Sequence, residues 1–297
     1  MSDEIAVAPP PKPPLGRRIL HFPLTLMLIA ILLFAAGSIL ASLLLRLLPP
    51  HPYSPLLLAN AAIVILCVGL AFWIFCRFVD REAAGLFGRD GWAKELGGGL
   101  AAGTLIFAAV VGAAAALGYY RTAGSSGLEA IWRPLAIEGL IAGFTEELLF
   151  RGILFRYIEK VAGSWIALVL TAALFGLAHI ANPAATWFSS LCIAVEAGIL
   201  LGATYMLTRR LWAAMGLHAA WNFTQGWIFG LPVSGMAGGA GLLNGRLSGP
   251  ELMTGGPFGL EASLPGLVIA TIAGLAILVL AIRRGRLVRP RWAQRKE

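Results

Sequence analysis

Charge is scarce in this chain. Of its 297 residues 13% are charged and 58% hydrophobic, whereas an ordinary soluble domain carries about 25% charged residues. A soluble fold of this length would need a polar coat that so few charges cannot supply. The composition points instead to a bilayer, whose core takes about 20 apolar residues per crossing helix. Aspartate is scarcer still. Asp3, Asp80 and Asp90 are the only three, and none lies deep in an apolar run, which nearly excludes an intramembrane aspartyl dyad. The three cysteines, Cys67, Cys76 and Cys192, lie in or beside apolar runs without metal-site spacing, so no disulfide framework is implied. HExxH and GxSxG are both absent, which removes the sequence support for a zincin helix and for a nucleophile elbow. The "GSSG" from Gly124 to Gly127 has a polar context and reads as a flexible outer loop.

The net charge of +8 resembles a nucleic-acid signal until it is located. Arg283, Arg284, Arg286, Arg289, Arg291, Arg295 and Lys296 crowd the last stretch of sequence directly after an apolar run. That is the pattern of a positive-inside anchor, and no nucleic-acid motif accompanies it. No nucleic-acid partner is expected.

Eight apolar runs are candidate spans, at roughly 20–47, 55–79, 96–118, 131–157, 163–181, 186–207, 211–230 and 264–283. The fold class expected is an all-α integral membrane protein, a polytopic bundle of about eight transmembrane helices. The third run is thick with Gly and Ala, which let helices approach closely. Basic residues fall before the first run, between the second and third, fourth and fifth, and sixth and seventh, and after the eighth. An even number of crossings puts these on one side, so both termini are expected to be cytoplasmic, in a bacterial inner (plasma) membrane. The chain divides into a disordered cytoplasmic lead (1–18), N-terminal transmembrane helices (19–127), a helical core (128–230), a Gly-rich outer loop (231–263), and a last helix with a basic tail (264–297). The outer loop contains nine glycines, and a poorly structured connector is expected there in preference to a lid. Residues 80–95 are expected to form a short surface helix with a Gly-rich break.

Against this background the segment Gly143 to Gly152, "GFTEELLFRG", stands out. A charge at the centre of a span costs about 2.5–3.5 kcal/mol on insertion scales, so Glu146, Glu147 and Arg151 require compensation. Glu147 and Arg151, spaced i,i+4, share a helix face and are expected to form a structural ion pair. Glu146 is rotated about 100° from Glu147 and is left to face elsewhere in the bundle. Two histidines lie in later apolar runs: His179, one turn after Phe175, and His218, one turn before Asn222. At about 1.5 Å rise per residue, Glu146 lies roughly 21 Å along the helix from Lys160, and His179 roughly 24 Å from Gly163. By the same rise His218 and Asn222 lie roughly 12 and 18 Å from Arg210. All four reach the interior of a layer about 30 Å thick. Such groups suit hydrolysis by an activated water. A buried carboxylate acts as general base, an imidazole holds the same water, and a second imidazole with an amide donates to the oxyanion.

Glu146-Glu147-x-x-x-Arg151, Phe175-x-x-x-His179 and His218-x-x-x-Asn222, in this order on successive apolar segments, resemble the CAAX-prenyl-protease and bacteriocin-processing (CPBP, Abi) family of intramembrane proteases. The resemblance covers roughly residues 130 to 225, and "AGILLGATY" from Ala197 to Tyr205 is similar to that family's glycine-bearing helix. It implies an all-helical membrane endopeptidase. Glu146 and His179 would activate water, His218 and Asn222 would stabilise the oxyanion, and Arg151 would orient Glu147. The partners implied are a peptide or protein substrate, membrane-anchored or lipidated, together with membrane lipid. No cofactor is expected; the variant is a zinc ion at Glu146, His179 and His218, all acceptable zinc ligands. Two further classes compete. A proton-coupled transporter would use the same intramembrane Glu, His and Arg, extended by Glu138 and Glu196, but no internal repeat supports it. A non-catalytic scaffold would use the polar groups only to fix helix register.

Overall fold

The computed structural model describes residues 14–49 and 54–293; most of the expected N-terminal lead lies outside them. A short helix, α1 (Leu15–Leu20), takes in residues 15–18 of that lead, where disorder was expected, and continues beyond it. There follow α2 (Pro23–Leu45), α3 (Leu57–Phe78) and α4 (Trp92–Ala116). Strand β1 (Tyr120–Thr122) precedes the central segment, in which α5 (Ala142–Glu147) is flanked by π-helical turns at Pro134–Ile141 and Leu148–Phe155. Then come α6 (Arg156–Ala178), α7 (Trp187–Thr208) and α8 (Trp212–Phe223), the last running into a π-helical turn at Thr224–Ile228. Strand β2 (Gly245–Leu247), a short helix α9 (Glu251–Thr254) and α10 (Leu264–Arg283) complete the order.

Bundle polarity runs opposite to that of a soluble protein. Leu28, Leu32 and Ile39 of α2, Leu66 and Trp73 of α3, Val169 of α6 and Ile272 of α10 are exposed, while Glu147, Arg151, Glu196, His218 and Gln225 are buried. Apolar side chains on the outside and ionisable ones on the inside are what a lipid solvent selects. Six helices among the described residues are long and apolar enough to cross a membrane, against about eight runs read from the sequence. Two features account for the difference. The fourth and fifth runs fall within one stretch, Glu129–Ala181, in which Gly163 breaks the helix at φ 79°, ψ 170°. A side chain at that left-handed φ is disfavoured, and a Cβ there would also press on the Pro290 nitrogen at 2.8 Å. The seventh run becomes a 12-residue α-helix prolonged by π-helical turns. The chain is a multi-pass integral membrane protein.

Two helix pairs frame the centre: α4 packs along α8, and α10 along α7. Glycine makes the first approach possible. A Cβ on Gly99 or Gly103 would overlap the carbonyl oxygens of Ala213 or Leu217 on α8. The Gly-rich segment 231–263, expected to be a poorly structured outer connector, contains short regular elements. Strand β2 pairs antiparallel with β1 in the register Tyr120↔Leu247, Arg121↔Arg246, Thr122↔Gly245. Short helical turns follow at Gly256–Phe258 and Leu260–Ala262, and Ser263 caps α10 by accepting from the Gly266 N–H. Its glycines allow backbone–backbone contact rather than slack; a Cβ on Gly241, for example, would overlap the Trp227 carbonyl oxygen. Between α3 and α4, Arg81–Phe87 forms a 3-10 helix that starts at Asp80, so the short helix expected at 80–95 covers only the first part of that range.

Substitutions along α4 separate packing from propensity. Gly103→Ala is expected to cost about 1–3 kcal/mol by overpacking against α8. Gly112, with nothing within 4 Å of a Cβ, is expected to tolerate Ala with a change of at most about 1 kcal/mol, in the stabilising direction. Thermal unfolding in detergent checks both; equal melting of the two variants would contradict the close α4–α8 approach.

Candidate active site

The site assembles where α5 meets α8. Glu147 has no exposed surface. Its Oε1 accepts from Arg151 Nη1 at 2.8 Å and from His218 Nδ1 at 2.8 Å. The expected Glu147–Arg151 pair is therefore present, with a third member that helix spacing could not show. Arg151, 1% exposed, spends its other amino group on the Ala197 carbonyl of α7 at 3.2 Å, and its guanidinium carbon lies 4.6 Å from the centre of the Phe175 ring. One arginine thus joins α5, α6 and α7 around a buried carboxylate.

Phe175 is the apolar hub of the same cluster. Its ring centre lies 4.7 Å from that of His179 and 6.0 Å from that of His218. His179 Nδ1 donates to the Phe175 carbonyl at 2.7 Å, which leaves Nε2 as the free nitrogen. The ring sits at the C-terminal end of α6, where backbone carbonyls run out of amide partners. His218 is held from the other side: with Nδ1 bound to Glu147, its Nε2 lies 3.9 Å from Glu146 Oε2. Glu146 is partly open, its side chain 33% exposed. Its Oε2 is nevertheless buried without a hydrogen-bond partner. Asn222, one turn on from His218, donates from Nδ2 to the Glu138 carbonyl at 2.8 Å.

His179, His218 and Asn222 line one cavity, together with Phe175, Trp221, Ser234 and Glu261. Its space for water centres is about 20 Å³, enough for about one water. Glu146 is not among the lining residues; it reaches the group through His218. The sequence reading missed Ser234 and Glu261. Both come from the outer loop, and their signal was weak: Glu261 is one of only two acidic residues between 231 and 263, set against an apolar run. The other intramembrane acids differ in their surroundings. Glu138 pairs with Arg133 at 3.6 Å, whereas both carboxylate oxygens of Glu196 are buried without a partner. Among the described residues no group of three or more His, Cys, Asp and Glu side chains is arranged to hold a metal ion.

Residues 127–224 match the family model Rce1-like, described as "Type II CAAX prenyl endopeptidase Rce1-like". Over this third of the chain the sequence is similar to that family. The segment contains all seven residues of the three motifs, and the similarity supports a CAAX-type intramembrane protease in general terms. No curated relative and no solved structure matches the chain. Glu261 and Ser234 lie beyond the matched segment.

Arg151→Leu would leave Glu147 buried opposite a single partner. It is expected to destabilise by roughly 3–5 kcal/mol, the range for breaking a buried ion pair from one side. Thermal unfolding of the purified variant checks this, and a variant that melts with the parent would show that Arg151 does not compensate Glu147.

Proposed function

We propose that the chain is an endopeptidase that hydrolyses a peptide bond within the membrane by direct carboxylate catalysis. The observation that carries the reading is the gap between Glu146 Oε2 and His218 Nε2. The two atoms lie 3.9 Å apart, too far for a direct hydrogen bond. A separation of this kind suits a bridging water, and the Glu146 oxygen has no other partner.

In this mechanism Glu146 takes a proton from the water, and the hydroxide formed adds to the scissile carbonyl carbon. His179 steadies the water through Nε2, because its Nδ1 is committed to the Phe175 carbonyl. His218, when protonated, donates from both nitrogens, Nδ1 to Glu147 and Nε2 to the oxyanion. The Asn222 amide has a second N–H beyond the one given to Glu138 and supplies the other oxyanion donor. Collapse of the tetrahedral adduct breaks the C–N bond, and Glu146 returns its proton to the leaving amine. The products are a carboxylic acid, which passes its proton to the released amine to leave a carboxylate and an ammonium group, and no covalent enzyme intermediate forms. Glu147 and Arg151 do not react; they set the His218 ring and the pitch of α5.

The substrate class we infer is a peptide or protein held at the membrane, by a lipid or by its own apolar segment. From the positive-inside rule we infer that both termini are cytoplasmic, in a bacterial inner (plasma) membrane. The zinc variant would use Glu146, His179 and His218 as ligands and would make activity depend on the metal.

Glu146→Gln keeps the size of the side chain and removes the base. Loss of peptide cleavage by about 100-fold or more, with unchanged membrane insertion, is expected. Mass-spectrometric peptide profiling of membranes carrying the parent or the variant reads it out, and retained cleavage by the variant would exclude Glu146 as the base. A chelator such as 1,10-phenanthroline is expected to leave cleavage intact. Loss on chelation with recovery on adding zinc would replace the carboxylate mechanism by the zinc variant.

A further inference from the structure

Glu261 is a buried carboxylate, 3% exposed, that the proposed mechanism does not use. It stands at the end of the outer loop, just before α10, and forms part of the wall of the cavity that holds His179, His218 and Asn222. Three donors converge on it. Trp221 Nε1 donates to Oε1 at 3.0 Å. The Ser234 backbone N–H and hydroxyl donate to Oε2 at 2.6 and 3.0 Å. Its burial is therefore compensated.

The donors themselves lead to the site. Trp221 is next to Asn222 on α8, three residues after His218. Ser234 accepts on its carbonyl from Asn182 Nδ2 at 2.6 Å, and the Asn182 N–H donates to the His179 carbonyl at 3.1 Å. One carboxylate thus bonds directly to the helix carrying His218 and Asn222 and, through Ser234 and Asn182, to the turn carrying His179. Ser234 adopts φ 48°, a left-handed conformation that residues other than Gly seldom hold without surrounding constraint. The Glu261 and Asn182 bonds supply that constraint on either side of its peptide group.

We propose that Glu261 is a positioning residue for hydrolysis, fixing the spacing between His179 and the His218–Asn222 face across the outer end of the cavity. The role rests on the protease reading above. A loose link here would let the water-holding imidazole drift from the oxyanion donors, and displacements on the order of 1 Å suffice to cost about 100-fold in rate. Substrate binding along the bundle would be little affected, so the defect belongs in kcat.

The test uses the full chain in phospholipid vesicles and a dye-labelled prenylated peptide of the CAAX type. Glu261→Gln puts an amide donor where two donors or the indole N–H now meet an acceptor. It is expected to lower kcat roughly 10- to 100-fold while KM stays within about twofold and the melting temperature stays near the parent's. Asn182→Ala, which cuts the relay to His179, is expected to give a similar kcat defect, and the double variant to be much less than the product of the two. A parental kcat in Glu261→Gln, a defect confined to KM, or multiplicative single effects would overturn the proposal. If Glu261→Gln is not recovered folded, Trp221→Phe, which keeps a ring and deletes the N–H, decides by the same split. Glu146→Gln runs alongside as a control. A parent no faster than that control would overturn the protease reading and this role with it, whereas an active parent, an inert control and a fully active Glu261→Gln would overturn this role alone.

Discussion

A single carboxylate oxygen, Glu147 Oε1, receives both the Arg151 guanidinium and the His218 imidazole inside an apolar bundle. Little water reaches that depth to stabilise a lone charge, so each member depends on the others remaining in place. The geometry of the candidate site follows. Arg151 is held by Glu147 and by the Ala197 carbonyl, which sets the distance between α5 and α7. His218 is held at Nδ1, so its Nε2 has one direction to face, and that direction is toward Glu146. The π-helical turns on either side of α5 and after α8 fit the same account. Such turns shift side chains off the regular helical register and occur often at functional sites, and here all three found among the described residues adjoin the candidate residues.

The adjacent carboxylates divide their roles by exposure. Glu147 is sealed and paired, which suits a residue that orients. Glu146 keeps a third of its side chain accessible and one oxygen without a partner, which suits a residue that exchanges a proton with a small molecule. Phe175 separates and supports both histidines, so the Phe in Phe175-x-x-x-His179 is a wall of the site as well as a helix-packing residue. Behind the imidazoles, the outer loop completes the cavity with Ser234 and Glu261.

Much of this was legible in the sequence, for identifiable reasons. Helical spacing placed Glu147 and Arg151 on one face, and it placed Asn222 beside His218. Rise per residue put the motifs at comparable depth. The Gly and Ala content of α4 announced a close helix contact, which the structure shows against α8. What could not be read was anything set by contact between distant segments. The His218–Glu147 bond joins residues on different helices, and no periodicity encodes it. The short elements of residues 231–263 are not legible because glycine is ambiguous: Gly241 and Gly259 serve close backbone contacts, but in sequence they look like slack. Glu261 was hidden for the same reason. Six long apolar helices stand against about eight runs because the fourth and fifth runs form one stretch, bent at Gly163, and because α8 is short.

The account depends on the Glu147 carboxylate fixing the His218 ring with Nδ1 as donor. Nitrogen-15 NMR of histidine-labelled protein in lipid reads this directly, with the His218 signal assigned by its loss in His218→Gln. The account predicts a protonated, strongly hydrogen-bonded Nδ1 in the parent that loses this character in Glu147→Gln. An unprotonated Nδ1 in the parent, or a signal unchanged by Glu147→Gln, would contradict it.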